Sequence, residues 1–402
     1  VAEPTHDIVI LGAGPAGMAF AALAVADAPD RRVLLIDQSA LADKAREKRV
    51  LALSEGSRQI LARAGLWDVA LPRCAIAQVH VSQQGRLGRT MVTAAELGSP
   101  ALGYSVEYGE LLQTMAARLP DSIEVLRPAS ASPHGTVIGP QGVLQHLKVQ
   151  HGEQSTVMLS QLLVRAEGGL FAEHDTSAFD ASHDYHQHAL LVRVRIIGLP
   201  AAQAWERFTD QGPIALVPLA PEHFSLVWCA SPEESARRLA LPPAALAVDL
   251  AAAYGERFTA SAIQFESAPK VYPLGLNWRD DTATGGIVTL GNAAQTLHPV
   301  AAQGLNLALR DAAELVDALA APATEWPQQT RQWAANRQTD RHTTRGLTHA
   351  MAQFFATRFA PVQHALGLGL LALDTVPPAR RWVGRQLMLG ARRATPATGR
   401  LV

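Results

Sequence analysis

Two cysteines, Cys74 and Cys229, are all that the 402 residues contain. A disulfide framework and an all-cysteine metal site are therefore excluded, and a reducing compartment is expected. An excess of one charge is also missing, with 35 Lys and Arg against 36 Asp and Glu and a formal net charge of −1. Such a chain offers no basic field to hold a polyanion, so no nucleic-acid partner is expected. Long apolar runs are absent. No window approaches the roughly 18–20 uninterrupted apolar residues of a membrane span. The most apolar late window, Val362 to Leu373, is interrupted by His364. No basic segment leads into an apolar stretch near the first residues, so no targeting signal is read. The expectation is a soluble, cytoplasmic protein. Repeats and low-complexity tracts are lacking. Apolar residues at 48% with only 18% charged exclude disorder as the main state. The length suits two to three domain-sized units at roughly 150 residues each.

What is present begins with a strand, a glycine turn, a helix and a second strand. Asp7 to Leu11 is a short β-branched run suited to a buried parallel strand. Gly12-Ala-Gly-Pro-Ala-Gly17 follows, then an Ala-rich helical stretch from Met18 to Ala26, then Arg32 to Asp37. This is a βαβ opening of an α/β fold. A helix is expected over 55–65, ending at Gly65. A hairpin is expected between Ala77 and Thr93, a helix from Gly109 to Arg118, and turns with short strands over 128–145. Residues 184–275 alternate and lean antiparallel, with Ala189 to Ile197 the clearest strand. Strand, turn and helix return over 287–319, and helix is expected after about residue 330.

The first glycine motif sits where a dinucleotide needs it. Gly12 permits the tight turn, Gly14 lets the backbone approach a pyrophosphate, and Gly17 lets helix and strand pack closely. Gly12, Gly14, Ala16 and Gly17 are read as the cofactor loop. The helix N-terminus offers N–H groups and partial positive charge to the phosphates. Asp37 can accept hydrogen bonds from a ribose hydroxyl pair, and it would repel a 2′-phosphate, so NADP is not expected in this site. The motif leaves FAD and NAD as alternatives.

The second segment is Gly291-Asn-Ala-Ala-Gln-Thr-Leu-His-Pro-Val-Ala-Ala-Gln-Gly-Leu-Asn-Leu-Ala-Leu-Arg-Asp311. Gly286 to Leu290 reads as a strand delivering the chain to Gly291 and Asn292. His298-Pro299 imposes a turn, and a helix begins near Gly304-Leu305-Asn306. A helix N-terminus facing a flavin would stabilise negative charge on the ring, as reduction requires. Asn292 is placed to bond a ribityl hydroxyl, and Pro299 gives a rigid apolar lid beside the ring. His298 is read either as a proton carrier near the flavin or as a residue that holds the turn.

Together the two segments resemble the class A flavin monooxygenases of the para-hydroxybenzoate hydroxylase type. Within them the chain is most similar to the ubiquinone-biosynthesis hydroxylases, and to the branch acting on polyprenylated methoxyphenols. The Gly291-Asn-Ala-Ala-Gln-Thr-Leu-His-Pro299 run resembles that branch, where most relatives have Gly-Asp. Arg49 to Leu53, Ala64 to Trp67, Val79 to Ser82, Glu206 to Thr209 with Gly212-Pro213, and Leu226 to Cys229 extend the likeness.

The resemblance implies a Rossmann-type FAD domain with an inserted β-sheet substrate domain and C-terminal helices. The expected division is 1–75, 106–183 and 285–345 for FAD, 76–105 and 184–284 for substrate, and 346–402 for the helical end. It places Arg49 near the FAD pyrophosphate. It has Gly304 and Leu305 present backbone N–H groups to the ring, with Asn306 taken beside them. The implied activity is hydroxylation of a polyprenyl phenol by O2, with NAD(P)H as transient co-substrate and oxygen delivered from a C4a-hydroperoxyflavin. No protein acid, base or nucleophile is required, because the phenol is activated by its own hydroxyl. An assembly partner that binds little FAD, within a biosynthetic complex, is the alternative. So is a hydroxylase of another ring position or another aromatic substrate.

Four departures from the family pattern stand out. Gly169 to Asp180 lacks the family's usual Ser and Arg. Glu167 replaces the usual Asp in Ala166-Glu167-Gly168. Ala302 replaces a Gly before Gln303-Gly304. Val106 to Glu110 lacks an Asn-Arg pair. Outside the motifs, His183, Asp184, His186 and His188 could mimic a metal site if His186 and His188 share a strand face. No metal is expected there. Trp205, Trp228 and Trp278 are read as packing. The C-terminal end is basic: Arg380, Arg381, Arg385, Arg392, Arg393 and Arg400 follow Asp374 with no further acid, interleaved with Leu387, Met388 and Leu389. One reading is a solvated helix face. The other is contact with an anionic membrane, at ~1 kcal/mol per basic residue, which would make the protein peripheral to the inner membrane.

Overall fold

The run His6–Leu11 lies between two parallel neighbours, Gln154–Arg165 and Val33–Ile36. Ile8, Val9 and Ile10 are wholly inaccessible, covered on both faces, so the run shows no alternation. Ile123–Leu126 extends this parallel sheet beyond Val33–Ile36, and Ile287–Thr289 does so beyond Gln154–Arg165. The helices Pro15–Asp27 and Gln303–Ala318 pack on the sheet and on each other in one hydrophobic core. Both glycine segments thus feed the same layer. The computed structural model describes residues 3–140, 142–168, 179–356 and 359–390. Of the departure over Gly169 to Asp180, residues 169–178 lie outside the described residues.

The stretch 128–145 differs from expectation. Ser130–Gly139 and Gly142–His151 form a long antiparallel hairpin, and the second strand also pairs with Gln154–Arg165. Pro133 stands opposite Leu147 beside a register shift. At such an irregularity a residue without an N–H is tolerated. Proline and serine here decorate a ribbon instead of ending it.

A second sheet runs in the order Gln295–Thr296, Lys270–Trp278, Ala181–Ile196, His223–Ala230, Gly212–Ala220, Gln203–Thr209, Gln78–Gln83, Arg89–Thr93. Among these described pairings only Gln203–Thr209 with Gln78–Gln83 is parallel. The strand expected from Ala189 starts earlier, at Ala181, because the polar Ser-His-Asp-Tyr-His-Gln-His run is itself extended. A register shift between Asp184 and Gln187, with His186 at φ +50°, takes His186 out of the alternation. The face that His186 and His188 were expected to share is not formed. Among the described residues no three His, Cys, Asp or Glu side chains are grouped to hold a metal.

One face of this sheet is closed by the helix Pro243–Tyr254 over Leu190, Val192, Leu216, Leu226 and Trp228. The other looks toward the long helix Trp326–Ala356 and the turn before Gln303–Ala318. That long helix is fixed by buried ion pairs. The wholly inaccessible Arg337 meets Asp311, Glu314 and Asp340, while Arg310 meets Asp340 and Arg341 meets Asp311. Burial lowers the Arg337 pKa, but these carboxylates outweigh it and the net shift is upward.

Two further helices, Ala360–Thr375 and Pro377–Leu389, wrap back over both layers. A Cβ at Gly88 would collide with the Gly367 backbone at 2.3 Å, and one at Gly56 would lie 2.8 Å from the Met388 carbonyl. The described part of the basic end is therefore partly structural. Met388 is buried, and Arg380 is paired with Glu96 at 2.8 Å. Arg392, Arg393 and Arg400 lie outside the described residues. No described helix is long and apolar enough to cross a membrane.

Candidate active site

The first loop is as tight as its glycines require. Gly12 has φ +104°, and a Cβ on it would lie 2.4 Å from the Ala166 carbonyl oxygen. A Cβ on Gly17 would lie 2.0 Å from the Gly12 carbonyl oxygen. These two glycines serve the fold. Gly14 is different, since a Cβ there would meet only the Tyr108 hydroxyl, at 3.9 Å. The helix Pro15–Asp27 has no side-chain cap and no acid in its first turn. Its opening amides face space that a side chain would fill and that suits an anion.

The second loop repeats the arrangement. The helix Gln303–Ala318 also lacks a side-chain cap and an acid in its first turn, and a Cβ at Gly304 would touch nothing within 4 Å. The two helix starts are held together at Gly291, φ +59°. A Cβ there would lie 3.6 Å from Ala16 Cβ and 3.5 Å from Ala308 Cβ. Asn292 lies in the single turn Gly291–Ala293 at this junction, half-buried. Leu305 packs its side chain on the shared core.

Asp37 is more committed than its place in the motif implies. Its Oδ2 accepts from the Ala13 N–H at 2.8 Å, its Oδ1 from the Ser39 N–H at 2.9 Å, and Lys44 Nζ lies at 2.9 and 3.0 Å from the two oxygens. It clamps the loop to the strand end. Arg49 pairs with Glu47 at 3.0 Å and lies 5.0 Å over the ring of Tyr108. Tyr108 thus stands between Arg49 and Gly14, its phenol pushed up to about 12 chiefly by burial. The sequence marks position 108 only as part of a departure from the family pattern. Glu167, the other departure nearby, pairs with Arg165 at 3.2 Å.

Asn306 is fully engaged by protein. Its Oδ1 accepts from the Ser54 N–H and the Ser57 hydroxyl at 2.8 and 2.6 Å, and its Nδ2 donates to the Ala52 and Ala302 carbonyls at 3.0 and 2.7 Å. The side chain bolts the helix start to its neighbour, leaving only the backbone to face a ligand. His298 is nearly inaccessible. Its Nδ1 accepts from the Val300 N–H at 3.2 Å, so its Nε2 carries the proton and donates to Gln187 Oε1 at 3.2 Å. Burial first, and then the charge of His349, pushes its pKa down to about 3, so the ring is neutral near pH 7. Tyr185 stands edge-on to it at 5.0 Å and bonds His349 Nδ1 at 3.0 Å. Pro299 follows, exposed.

Two uncapped helix starts, glycines open to space at 14 and 304, and a junction glycine between them fit one extended dinucleotide. Matching the chain against protein families agrees, with the FAD binding domain spanning residues 5–349. The chain belongs to the FAD-binding-domain family. Among curated relatives it is 26% identical over 393 residues to the 3-demethoxyubiquinol 3-hydroxylase of Escherichia coli (strain K12), covering 94% of this chain and 97% of the relative. It is 26% identical over 417 residues to the ubiquinone hydroxylase UbiL of Rhodospirillum rubrum, covering 100% of this chain and 93% of the relative. Among solved structures, p-nitrophenol 4-monooxygenase PnpA from Pseudomonas putida DLL-E4 matches with a TM-score of 0.74 at 13% identity, over 98% of this chain and 100% of that one. That likeness shows a shared fold.

Opposite the family's cofactor loops lies the second sheet. Gln187, bonded to His298, belongs to the sheet face that looks toward the loops. By register, Leu191, Val227, Ala215, Glu206 and Val81 follow across neighbouring strands on that face. All five keep accessible surface, while Leu190, Trp228, Ile214 and Leu216 on the other face are closed. The face that looks toward the cofactor loops thus stays partly open, whereas the other is closed. Sequence reasoning did not find it, because alternation shows that a strand has two faces but not which face stays open.

Proposed function

We propose that this FAD-dependent monooxygenase hydroxylates the ring of a polyprenylated methoxyphenol on the route to ubiquinone, with NAD(P)H and O2 as co-substrates. The partly open sheet face that meets the turn before Gln303–Ala318 carries the reading, since a ring and its tail need a largely apolar wall beside the cofactor loops. The names of the curated relatives support the same substrate class. The cofactor body in this reading is 1–75, 106–183 and 285–345, with 76–105 and 184–284 holding substrate and 346–402 closing the fold.

Bound FAD supplies the oxygen-activating redox chemistry. The chain's own residues bind and orient. Gly12, Gly14, Ala16 and Gly17 shape the phosphate loop, Asp37 fixes its end, and Arg49 stands behind Tyr108. Asn292 and the backbone of Gly304, Leu305 and Asn306 line the ring end. His298 keeps a neutral ring and joins turn to sheet, and Pro299 borders the cleft. Closing the site against water favours oxygen transfer over its wasteful decay.

An anionic membrane surface is the proposed source of so apolar a substrate. Phe359, Leu368, Leu371, Val376 and Trp382 are 40–65% exposed on the last helices, near Arg381 and Arg385. The test is purified protein with NADH or NADPH, O2 and a short-tailed methoxyphenol. Yellow protein, phenol-stimulated NAD(P)H oxidation and a product one oxygen heavier are expected. Colourless protein that takes up no added FAD would favour the assembly-partner alternative and end the hydroxylase reading.

A further inference from the structure

Glu206 lies mid-strand in Gln203–Thr209, with Val81 and Ala215 as register partners. Its neighbours turn away from it. Trp205 packs on the core beneath the helix Pro243–Tyr254, and Arg207 donates to the Ala253 carbonyl at 2.7 Å and to the Ser82 hydroxyl at 3.2 Å. Alternation sends Glu206 and Phe208 to the opposite face. Phe208 there packs on Val300 and Leu370. Val300 belongs to the turn that follows His298-Pro299. The strand therefore turns one carboxyl to the face that meets the turn Val300–Ala302, amid Val81, Ala215 and Val227.

Nothing in the described structure answers that carboxyl. Its Oε1 is sealed from solvent without a hydrogen-bond partner. The residue still keeps accessible surface, although burial alone pushes its pKa up to about 8. The nearest arginine in sequence is engaged on the other face. At pH 7 the group is mostly the neutral acid, with one O–H to donate and oxygens to accept. Buried polar groups are normally paired, and one that is not points to an absent partner. The wall around it is apolar, so that partner has a small polar group on an otherwise apolar body.

We propose that Glu206 is the specificity-determining residue that pairs with the phenolic hydroxyl of the substrate and so turns the ring within the cleft. This rests on the hydroxylase reading for the class of substrate only.

The test uses FAD-loaded protein and three probes with one shared alkyl tail: a para-alkylphenol, its methyl ether and the plain alkylbenzene. Dissociation constants are measured by calorimetry, and oxygenated product is measured in parallel. The wild type is expected to prefer the phenol over the alkylbenzene by at least about tenfold, because a site built to hydrogen-bond a hydroxyl rejects the analogue lacking it. Glu206→Leu should erase that preference while binding the alkylbenzene as tightly or more tightly. Its melting temperature should be equal or higher. Glu206→Gln, whose amide both donates and accepts, should keep most of the preference. Glu206→Met serves as a second apolar variant should the leucine fail to fold. A wild type without preference, or an apolar variant that keeps it, overturns the proposal. Preference without any oxygenated product overturns the hydroxylase reading and leaves the role of Glu206 standing.

Discussion

Asn306 and Glu206 are both polar side chains turned inward, one on a helix that opens at the cofactor loops and one on the sheet across from it. Asn306 makes four hydrogen bonds, all to protein. Glu206 Oε1 makes none. The contrast extends to their surroundings. On the cofactor side Asp37 is held by two amides and Lys44, and the helix Gln303–Ala318 is tied to Trp326–Ala356 through Asp311, Asp340 and Arg337. On the sheet side the inward face is apolar and half-open. A cofactor that stays bound is best served by a rigid, fully satisfied frame. A substrate that must come and go needs a wall that is incomplete until it arrives.

The comparison breaks most violently if the frame loses a charge. Asp311→Ala would leave Arg337 and Arg341 short of a carboxylate in a closed interior. Removing one partner of such a buried pair costs about 3–5 kcal/mol. Urea unfolding should show that loss, together with release of FAD. A loss under about 1 kcal/mol would mean that the network is solvated and the frame is not rigid in the sense argued.

His298 joins the two regions, and its proton tests the seam. The ordinary imidazole value is 6.5, and burial followed by His349 lowers it to about 3 in the folded chain. Between those values the unfolded chain binds a proton that the folded chain refuses. Its contribution is present above pH 6.5 and is lost as pH falls toward 3, by as much as about 1.4 kcal/mol per pH unit. His298→Gln keeps a polar side chain without that titration. The stability difference between wild type and variant should therefore grow steadily more favourable to the variant as pH drops. A flat difference would place the ring in contact with water.

Gly14 separates folding from binding within one loop. Gly12 and Gly17 have no room for a methyl, whereas Gly14 has only the Tyr108 hydroxyl near, at 3.9 Å. Gly14→Ala should leave the apoprotein's melting temperature within a degree or two. It should weaken FAD at least about tenfold, a loss of about 1.4 kcal/mol. Equal damage to fold and affinity would mean that this glycine, too, serves only the chain.

How far the sequence discloses each region follows from the same difference. The cofactor loops are legible because their demands are local. Gly12 and Gly17 answer backbone collisions that only glycine avoids, Gly291 takes a left-handed turn, and such requirements leave spaced marks. Asn306 looks like a ligand contact in the motif, yet its four bonds go to residues that include Ser54 and Ser57, some 250 positions away in the chain. Sequence cannot show such a bond. The sheet face is harder still. Gln187, Leu191, Val227 and Glu206 come together through strand register, and the openness of their face depends on where the last helices stop. The long hairpin at 130–151 was missed for a related reason, since its proline sits at an irregularity that only pairing reveals.

The smallest expected effect concerns a place where the rigid frame carries strain of its own. Ala301 and Ala302 have φ of +60° and +50°, the left-handed region, immediately before the helix Gln303–Ala318. A Cβ crowds the following carbonyl there, at roughly 1–2 kcal/mol per residue. Ala302 stands where the resemblance leads one to expect glycine, and it accepts this strain while its carbonyl bonds Asn306 Nδ2 at 2.7 Å. Ala302→Gly keeps that carbonyl and removes the crowding, but it also frees the unfolded backbone, which offsets part of the gain. The net result should be a stabilisation of about 0.5–1 kcal/mol in urea, together with tighter FAD, because the helix start loses a methyl beside the ring end. Tighter FAD without added stability would locate the conflict between methyl and cofactor rather than in the backbone. The reverse outcome would show that this turn is strained in its own right and that the methyl points away from the ring.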